Sequence, residues 1–336
     1  MNSNVLSIPQ STESGTSGVY HLKRLWFKLI NGESKNFPEE ADIDYAIINL
    51  LGLGLLPTYQ FIYSNKPSFD EFENWVLSHH NNQIPSALIN QCNELVIGDV
   101  TEIEDASEEG VLTEEDIKHW NEHGYVIVRN GISKEDAAAT CEAIWQHLEM
   151  DATNPETWYK DSNHIQGIMV TLYNHPSIIK NRQSKRIRRA YEQLWGTKNL
   201  IVTADKVGFN PPITTLHKYR GAGVHWDVSL AQPIPFGTQG ILYLTDTAEN
   251  QGALRILPCF HLQLIDWLNS LPKGANPRHT SFEQMGMKCI AANAGDFIIW
   301  NHYLPHDASP NTSSKPRLVQ YFNWFDSTAK TNPVWL

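Results

Sequence analysis

In the stretch GVHWDVS, His225 and Asp227 stand two residues apart. On an extended backbone alternate side chains share a face, so the imidazole and the carboxylate project together while Trp226 points the other way. One metal ion can accept both donors. Alone the pair is weak: with 14 histidines in 336 residues, about one H-x-D arises by chance. The stretch DFIIWNHYLPHDASPNTSSKPRLVQYFNWF adds to it. There a strand beginning after Gly295 and Asp296 leads to His306, a turn rich in Ser, Pro and Asn follows, and Arg317 opens another strand. Two histidines and a carboxylate on adjacent strands form the facial triad that holds non-haem Fe(II) with positions left open for oxygen and a co-substrate. An arginine nearby suits a carboxylate, which it grips through two parallel hydrogen bonds. His302, four residues before His306, competes for the third position.

The elements that must carry these residues are legible from residue 200 onward. LIVTADKVGF, TTLHKYR, VHWDVSL, GILYLTDT, ALRILP, KCIAA, DFIIW and RLVQYFNWF are short apolar or alternating runs punctuated by Gly, Pro and Asn. Many short strands without intervening helices predict a sandwich or barrel of antiparallel strands. Upstream, Thr113 and Asp116 match a helix capping pattern, Ile117 and Trp120 keep helical spacing, Gly124 suits the helix end, and Tyr125 to Val128 read as a strand. Helices are predicted at 134–148 and, with a basic solvated face, at 180–194. The first 97 residues read as a mostly helical accessory region with a frayed Ser/Thr/Gly-rich start, supported by the spacing of Leu22, Leu25, Trp26 and Leu29. An acidic linker is predicted over 98–111, and the remaining domain over 112–336.

Composition narrows the function. Hydrophobic residues make up 41% and charged residues 19%, with 11 Trp, 12 Tyr and 12 Phe, as in a globular protein. A net charge of −11 and a pI near 5.7 disfavour nucleic acid, whose binding draws on clustered Lys and Arg. Cys92, Cys141, Cys259 and Cys289 form no C-x-x-C pair and read as reduced thiols. The polar N-terminus lacks the layout of a signal peptide, and the apolar run at 46–57 is too short to span a bilayer. A cytoplasmic protein with no membrane partner is expected.

Over residues 112–324 the chain resembles the phytanoyl-CoA dioxygenase-like Fe(II)/2-oxoglutarate oxygenases. The resemblance rests on LTEEDIKHWNEHGYVIVRNGIS, on His225-x-Asp227, on DTAENQGALRILPCFH, and on His306 with Arg317 after it. It implies a double-stranded β-helix, a jelly-roll or cupin-like core, mainly β with flanking helices. It also implies His225, Asp227 and His306 as iron ligands, with His306 favoured over His302 because Arg317 stands at the expected distance from it. Arg317 would hold the distal carboxylate of 2-oxoglutarate, with Lys206 and Asn210 as further contacts by position. The family often has Pro-Gly-Ser-His where this chain has Pro258-Cys259-Phe260-His261. It often has H-x-S where Ala308 stands, which leaves Ser309 or Asn311 to supply a polar contact.

The implied activity is that of an oxidoreductase using Fe(II), 2-oxoglutarate and O2 to hydroxylate an unactivated C–H bond of a small biosynthetic metabolite, amino-acid derived or carrier-bound, with release of succinate and CO2. Desaturation and ring closure begin with the same hydrogen abstraction, and a non-catalytic metal- or ligand-binding jelly-roll is the alternative outside enzymes. Arg317 argues against the last, since such a protein needs no arginine placed for a dicarboxylate. An aspartate at position 227 implies hydroxylation rather than halogenation, because related halogenating enzymes carry a small residue there. Arg220 and Arg255 are candidates to meet an anionic substrate, with a surface ion pair the favoured account of each.

Overall fold

The computed structural model describes residues 7–99, 110–332 and 334–336. Its residues form two compact units, one of 1–106, 198–204 and 326–333, the other of 107–197, 205–325 and 334–336. The first unit thus takes in two short segments that the sequence reading assigned to the jelly-roll domain. Most of the expected acidic linker lies outside the described residues.

Five helices build the first unit: α1 (Leu22–Ile30), α2 (Ala41–Leu50), α3 (Leu55–Asn65), α4 (Phe69–Ser78) and α5 (Ser86–Ile97). Leu22, Leu25 and Leu29 line one side of α1 and meet Ile47, Ile48, Phe72, Val76 and Cys92 in a common core, as helical periodicity requires. The apolar run at 46–57 is spent here, with Ile47, Ile48, Leu51 and Leu53 buried. Among the described residues no single helix is long and apolar enough to cross a membrane. The start expected as frayed is tied down where it is described. Glu73 on α4, only 3% exposed, accepts hydrogen bonds from Thr16 N, Thr16 Oγ1 and Ser17 N.

In the second unit Thr113 and Asp116 cap α6 (Glu114–His123) reciprocally, and Gly124 ends it at φ 78°, a left-handed conformation natural to glycine. Then come β1 (Tyr125–Val128), α7 (Lys134–Leu148), β2 (Ile165–Gln166) and β3 (Met169–Val170). The basic helix expected at 180–194 is two helices, α8 (Pro176–Arg182) and α9 (Lys185–Trp195). Ser184 divides them: its hydroxyl accepts from Ile187 N and so starts a new helix. Arg188 and Arg189 pair with Glu192, so that surface neutralises itself in part.

The remaining strands are β4 (Leu200–Val202), β5 (Val207–Asn210), β6 (Thr238–Tyr243), β7 (Leu254–Ile256), β8 (Lys288–Ile290), β9 (Phe297–Asn301), β10 (His306–Ala308), β11 (Arg317–Tyr321) and β12 (Trp324–Asp326), with α10 (Leu264–Ser270) between β7 and β8. That helix, and the absence of a regular strand over TTLHKYR and VHWDVSL, are the departures from the predicted run of strands. A seven-stranded antiparallel sheet in the order β1-β9-β6-β11-β5-β3-β2 and a three-stranded sheet β10-β7-β8 make up the β core. Between them Ile241, Tyr243, Ile298, Trp300 and Val319 of the large sheet pack with Leu254, Ile256 and Ile290 of the small one. Two antiparallel sheets closed over one apolar core are a jelly-roll, mainly β with flanking helices, and the N-terminal region is helical.

Candidate metal centre

The H-x-D pair is not on a regular strand. Only His225 is bridged, to His306 of β10, through N–H···O bonds of 3.0 Å in both directions. Directly opposed residues of such a pair share a face, and the two imidazoles stand with centroids 4.7 Å apart. Asp227 reaches both: its Oδ1 lies 3.5 Å from His225 Nε2 and its Oδ2 3.3 Å from His306 Nε2. Trp226, expected outside its strand, instead enters the barrel core among Phe260, Trp267 and Phe282.

Tautomer control is built in. His225 Nδ1 hydrogen-bonds the Gly223 carbonyl at 2.7 Å and His306 Nδ1 the Leu304 carbonyl at 3.1 Å. A carbonyl can only accept, so each Nδ1 carries a proton and each Nε2 faces the carboxylate. Asp227 is itself oriented: Gln239 Nε2 donates to its Oδ2 at 2.6 Å, and Trp300 Nε1 donates to Gln239 Oε1 at 3.0 Å. Burial pushes the Asp227 carboxyl up, but the hydrogen bond and charge of His306, then the charge of His225 and the amide of Gln239, hold it well below the usual carboxylate range. The three ligand atoms lie within 4.8 Å of one another. Two imidazole nitrogens and an ionised carboxylate within one coordination sphere fit a divalent metal such as iron.

Arg317 opens β11 opposite Asn210 of β5. Its side chain is fully buried, yet among the described residues its Nε and Nη1 have no hydrogen-bond partner, and only Nη2 reaches Tyr321 Oη at 3.4 Å. A guanidinium in that position calls for an anion. Ser309 Oγ is likewise buried and unpartnered. Asn311 differs from expectation: its amide donates to the carbonyls of Asn210 and Lys315, and its oxygen accepts from Ser313, so the side chain holds the turn together and is spent. Asn210 is fastened to the Ser309 carbonyl. Lys206 contributes its carbonyl to Tyr321 N, and its amine makes no ion pair among the described residues.

His302, the competing ligand, is turned away. Its Nε2 bonds the Pro235 carbonyl at 2.7 Å, and burial pushes its pKa down to about 4, keeping the ring neutral. Arg255 pairs with Asp307 and Glu283 as expected, whereas the exposed Arg220 has no ion-pair partner among the described residues. Cys259 takes up φ 66°, the left-handed conformation, which costs a non-glycine residue some strain. Gln239 and Trp300 were missed at the sequence level. They carry no motif, and only pairing of β6 with β9 sets Gln239 beside Trp300.

A second set of metal-compatible groups, His21, Glu40 and Asp44, lies in the first unit. It already holds its own cation: Lys28 Nζ donates to Glu40 Oε2 at 2.6 Å and to Asp44 at 2.7 and 2.8 Å, while Arg24 clamps Glu40. This is a self-satisfied polar network.

Comparison with known proteins finds relatives and a family. A Dictyostelium discoideum protein named "Putative phytanoyl-CoA dioxygenase" is 23% identical over 270 residues, 64% of this chain and 76% of that one. Among solved structures, the alpha-ketoglutarate-dependent carbocyclase SnoK of nogalamycin biosynthesis is similar at 18% identity and TM-score 0.47, covering 68% of this chain and 90% of that one. The epimerase SnoN, solved with Fe3+, alpha-ketoglutarate and nogalamycin RO, is similar at 19% identity and TM-score 0.48, covering 66% and 86%. Residues 120–319, more than half of the chain and inclusive of His225, Asp227, His306 and Arg317, match the phytanoyl-CoA dioxygenase (PhyH) family. The chain belongs to that family, and is an iron- and 2-oxoglutarate-dependent oxidoreductase acting on a small molecule.

Proposed function

We propose that this enzyme hydroxylates an unactivated C–H bond of a small metabolite, with His225, Asp227 and His306 as iron ligands and Arg317 as the anchor of the 2-oxoglutarate distal carboxylate. The observation that carries the reading is the buried Arg317 guanidinium, with two nitrogens unpartnered, in the same barrel as a preformed set of two imidazoles and a carboxylate. A dicarboxylate supplies what that guanidinium lacks, in a setting where a charge-assisted bidentate pair is strong.

Each residue has a defined task. The carbonyls of Gly223 and Leu304 fix both imidazoles with Nε2 toward the metal position. Gln239 keeps one oxygen of Asp227 engaged and so sets the plane of the carboxylate. Ser309 Oγ is the hydroxyl available for a second contact to the co-substrate, in place of Asn311. Iron held by His225, Asp227 and His306 would supply the oxidising chemistry that removes hydrogen from carbon. In the overall reaction one oxygen atom of O2 enters succinate as CO2 leaves 2-oxoglutarate, and the other enters the product as its hydroxyl. Desaturation and ring closure remain the alternatives that share the first step.

The test is anaerobic calorimetry with Mn(II) and 2-oxoglutarate, followed by aerobic turnover with succinate detection. Stoichiometric metal-dependent 2-oxoglutarate binding and succinate release are expected. A protein that binds neither metal nor 2-oxoglutarate would refute the assignment.

A further inference from the structure

A cleft opens between the β2–β3 hairpin and the segment after β5. Its wall carries three cations, Lys160, Lys218 and Arg220, all exposed, and none of its lining residues is acidic. Among the described residues none of the three has an ion-pair partner. In a chain of net charge −11, a concave surface of one positive sign is selective, because a cleft concentrates the field of the charges along it.

The cleft also has an aromatic side. Tyr159 and His217 stack face to face, with centroids 4.0 Å apart and planes 9° from parallel, and Tyr159 Oη donates to the Pro212 carbonyl. The walls are held close: Gly167, at φ 67° in the hairpin turn, has the Arg220 carbonyl 2.8 Å from where a Cβ would stand. Two lining residues tie the cleft to the chemistry. Asn210 is the ladder partner of Arg317, and Tyr219 donates its hydroxyl to the carbonyl of Ala308, two residues beyond His306.

We infer that this cleft seats the anionic end of the substrate, a carboxylate or a phosphate on an apolar or planar body, with Lys218 and Arg220 as the recognising cations. The inference rests on the oxygenase reading above and extends it to substrate class. It also explains why TTLHKYR, alternating enough to predict a strand, is not one: the segment is the cleft wall, with Lys218 and Arg220 left free of a ladder.

Benzoate and phenyl phosphate are the probes, titrated calorimetrically into the full chain with Mn(II) and saturating 2-oxoglutarate, so that the Arg317 position is filled. Binding of at least one probe is expected, and the stronger one identifies the anion. The double variant Lys218→Ala/Arg220→Ala should weaken it by about tenfold, the worth of two partly exposed charge contacts, and leave 2-oxoglutarate affinity unchanged. No probe binding to the wild-type protein, binding indifferent to the double variant, or binding that competes with 2-oxoglutarate would each overturn the inference. Loss of 2-oxoglutarate binding in the wild type, with the probe still dependent on Lys218 and Arg220, would refute the oxygenase reading and leave the anion cleft standing.

Discussion

His225 and His306 exchange both backbone hydrogen bonds, N to O at 3.0 Å each way, so their imidazoles leave one rung of backbone side by side. On the proposed assignment, this backbone pairing sets two of the three metal ligands side by side. Replacing His306 with Ala should abolish stoichiometric Mn(II) or Fe(II) binding, and His302→Ala should retain most of it, because His302 Nε2 is engaged with Pro235. Metal titration of the two variants decides, and the reverse order would overturn the ligand assignment.

On the proposed reading, Arg317→Ala would remove a bidentate, charge-assisted partner from the co-substrate carboxylate. The expected loss is roughly 2 to 5 kcal/mol, about thirtyfold to several-thousandfold in 2-oxoglutarate affinity. Arg317→Lys should recover only part of it, since a point charge lacks the guanidinium fork. An unchanged 2-oxoglutarate titration in the Ala variant would place the co-substrate elsewhere.

Gln239 acts on the metal through Asp227, which it meets at 2.6 Å. Gln239→Ala should weaken Mn(II) binding by about 10- to 100-fold, as loss of an outer-shell partner does, and should lower thermal stability modestly because the buried Trp300 Nε1 loses its acceptor. Metal affinity equal to wild type would assign Gln239 a packing role alone.

On the proposed ligand assignment, the carboxylate of Asp227 would take the metal position that a halide needs. In excess chloride or bromide the wild-type enzyme and its substrate should give a product heavier by one oxygen atom, read by mass spectrometry. A dominant halogenated product would mean that Asp227 is no ligand.

Glu40 reports on the first unit. Burial raises its pKa, and the bonds from Arg24 and Lys28 lower it further, to about 2 from an ordinary 4.5. A depressed carboxyl stabilises the fold fully above the unfolded value and loses that contribution as pH falls through the folded one. The melting-temperature gap between wild type and Glu40→Gln should be open at pH 6 and close between about pH 4.5 and 2. A gap independent of pH would show that the ion pairs contribute nothing.

What the sequence determined was local or ordinal. The cap at Thr113, the stop at Gly124 and the strands at 297–301 and 317–321 follow from side chains and dihedral preferences within a few residues, and the structure bears them out. His225, Asp227, His306 and Arg317 were legible as an ordered set through their order and spacing and the family resemblance, and the fold sets His225 opposite His306. Tertiary structure alone decided the rest. Gln239 reaches Asp227 twelve residues away and Trp300 reaches Gln239 sixty-one residues away, and only the β6–β9 register brings them together. Asn311 had the right chemistry, but neighbouring carbonyls and Ser313 consumed it. TTLHKYR had the right alternation, but a strand needs a ladder partner, and pairing is a property of two segments that neither one encodes by itself.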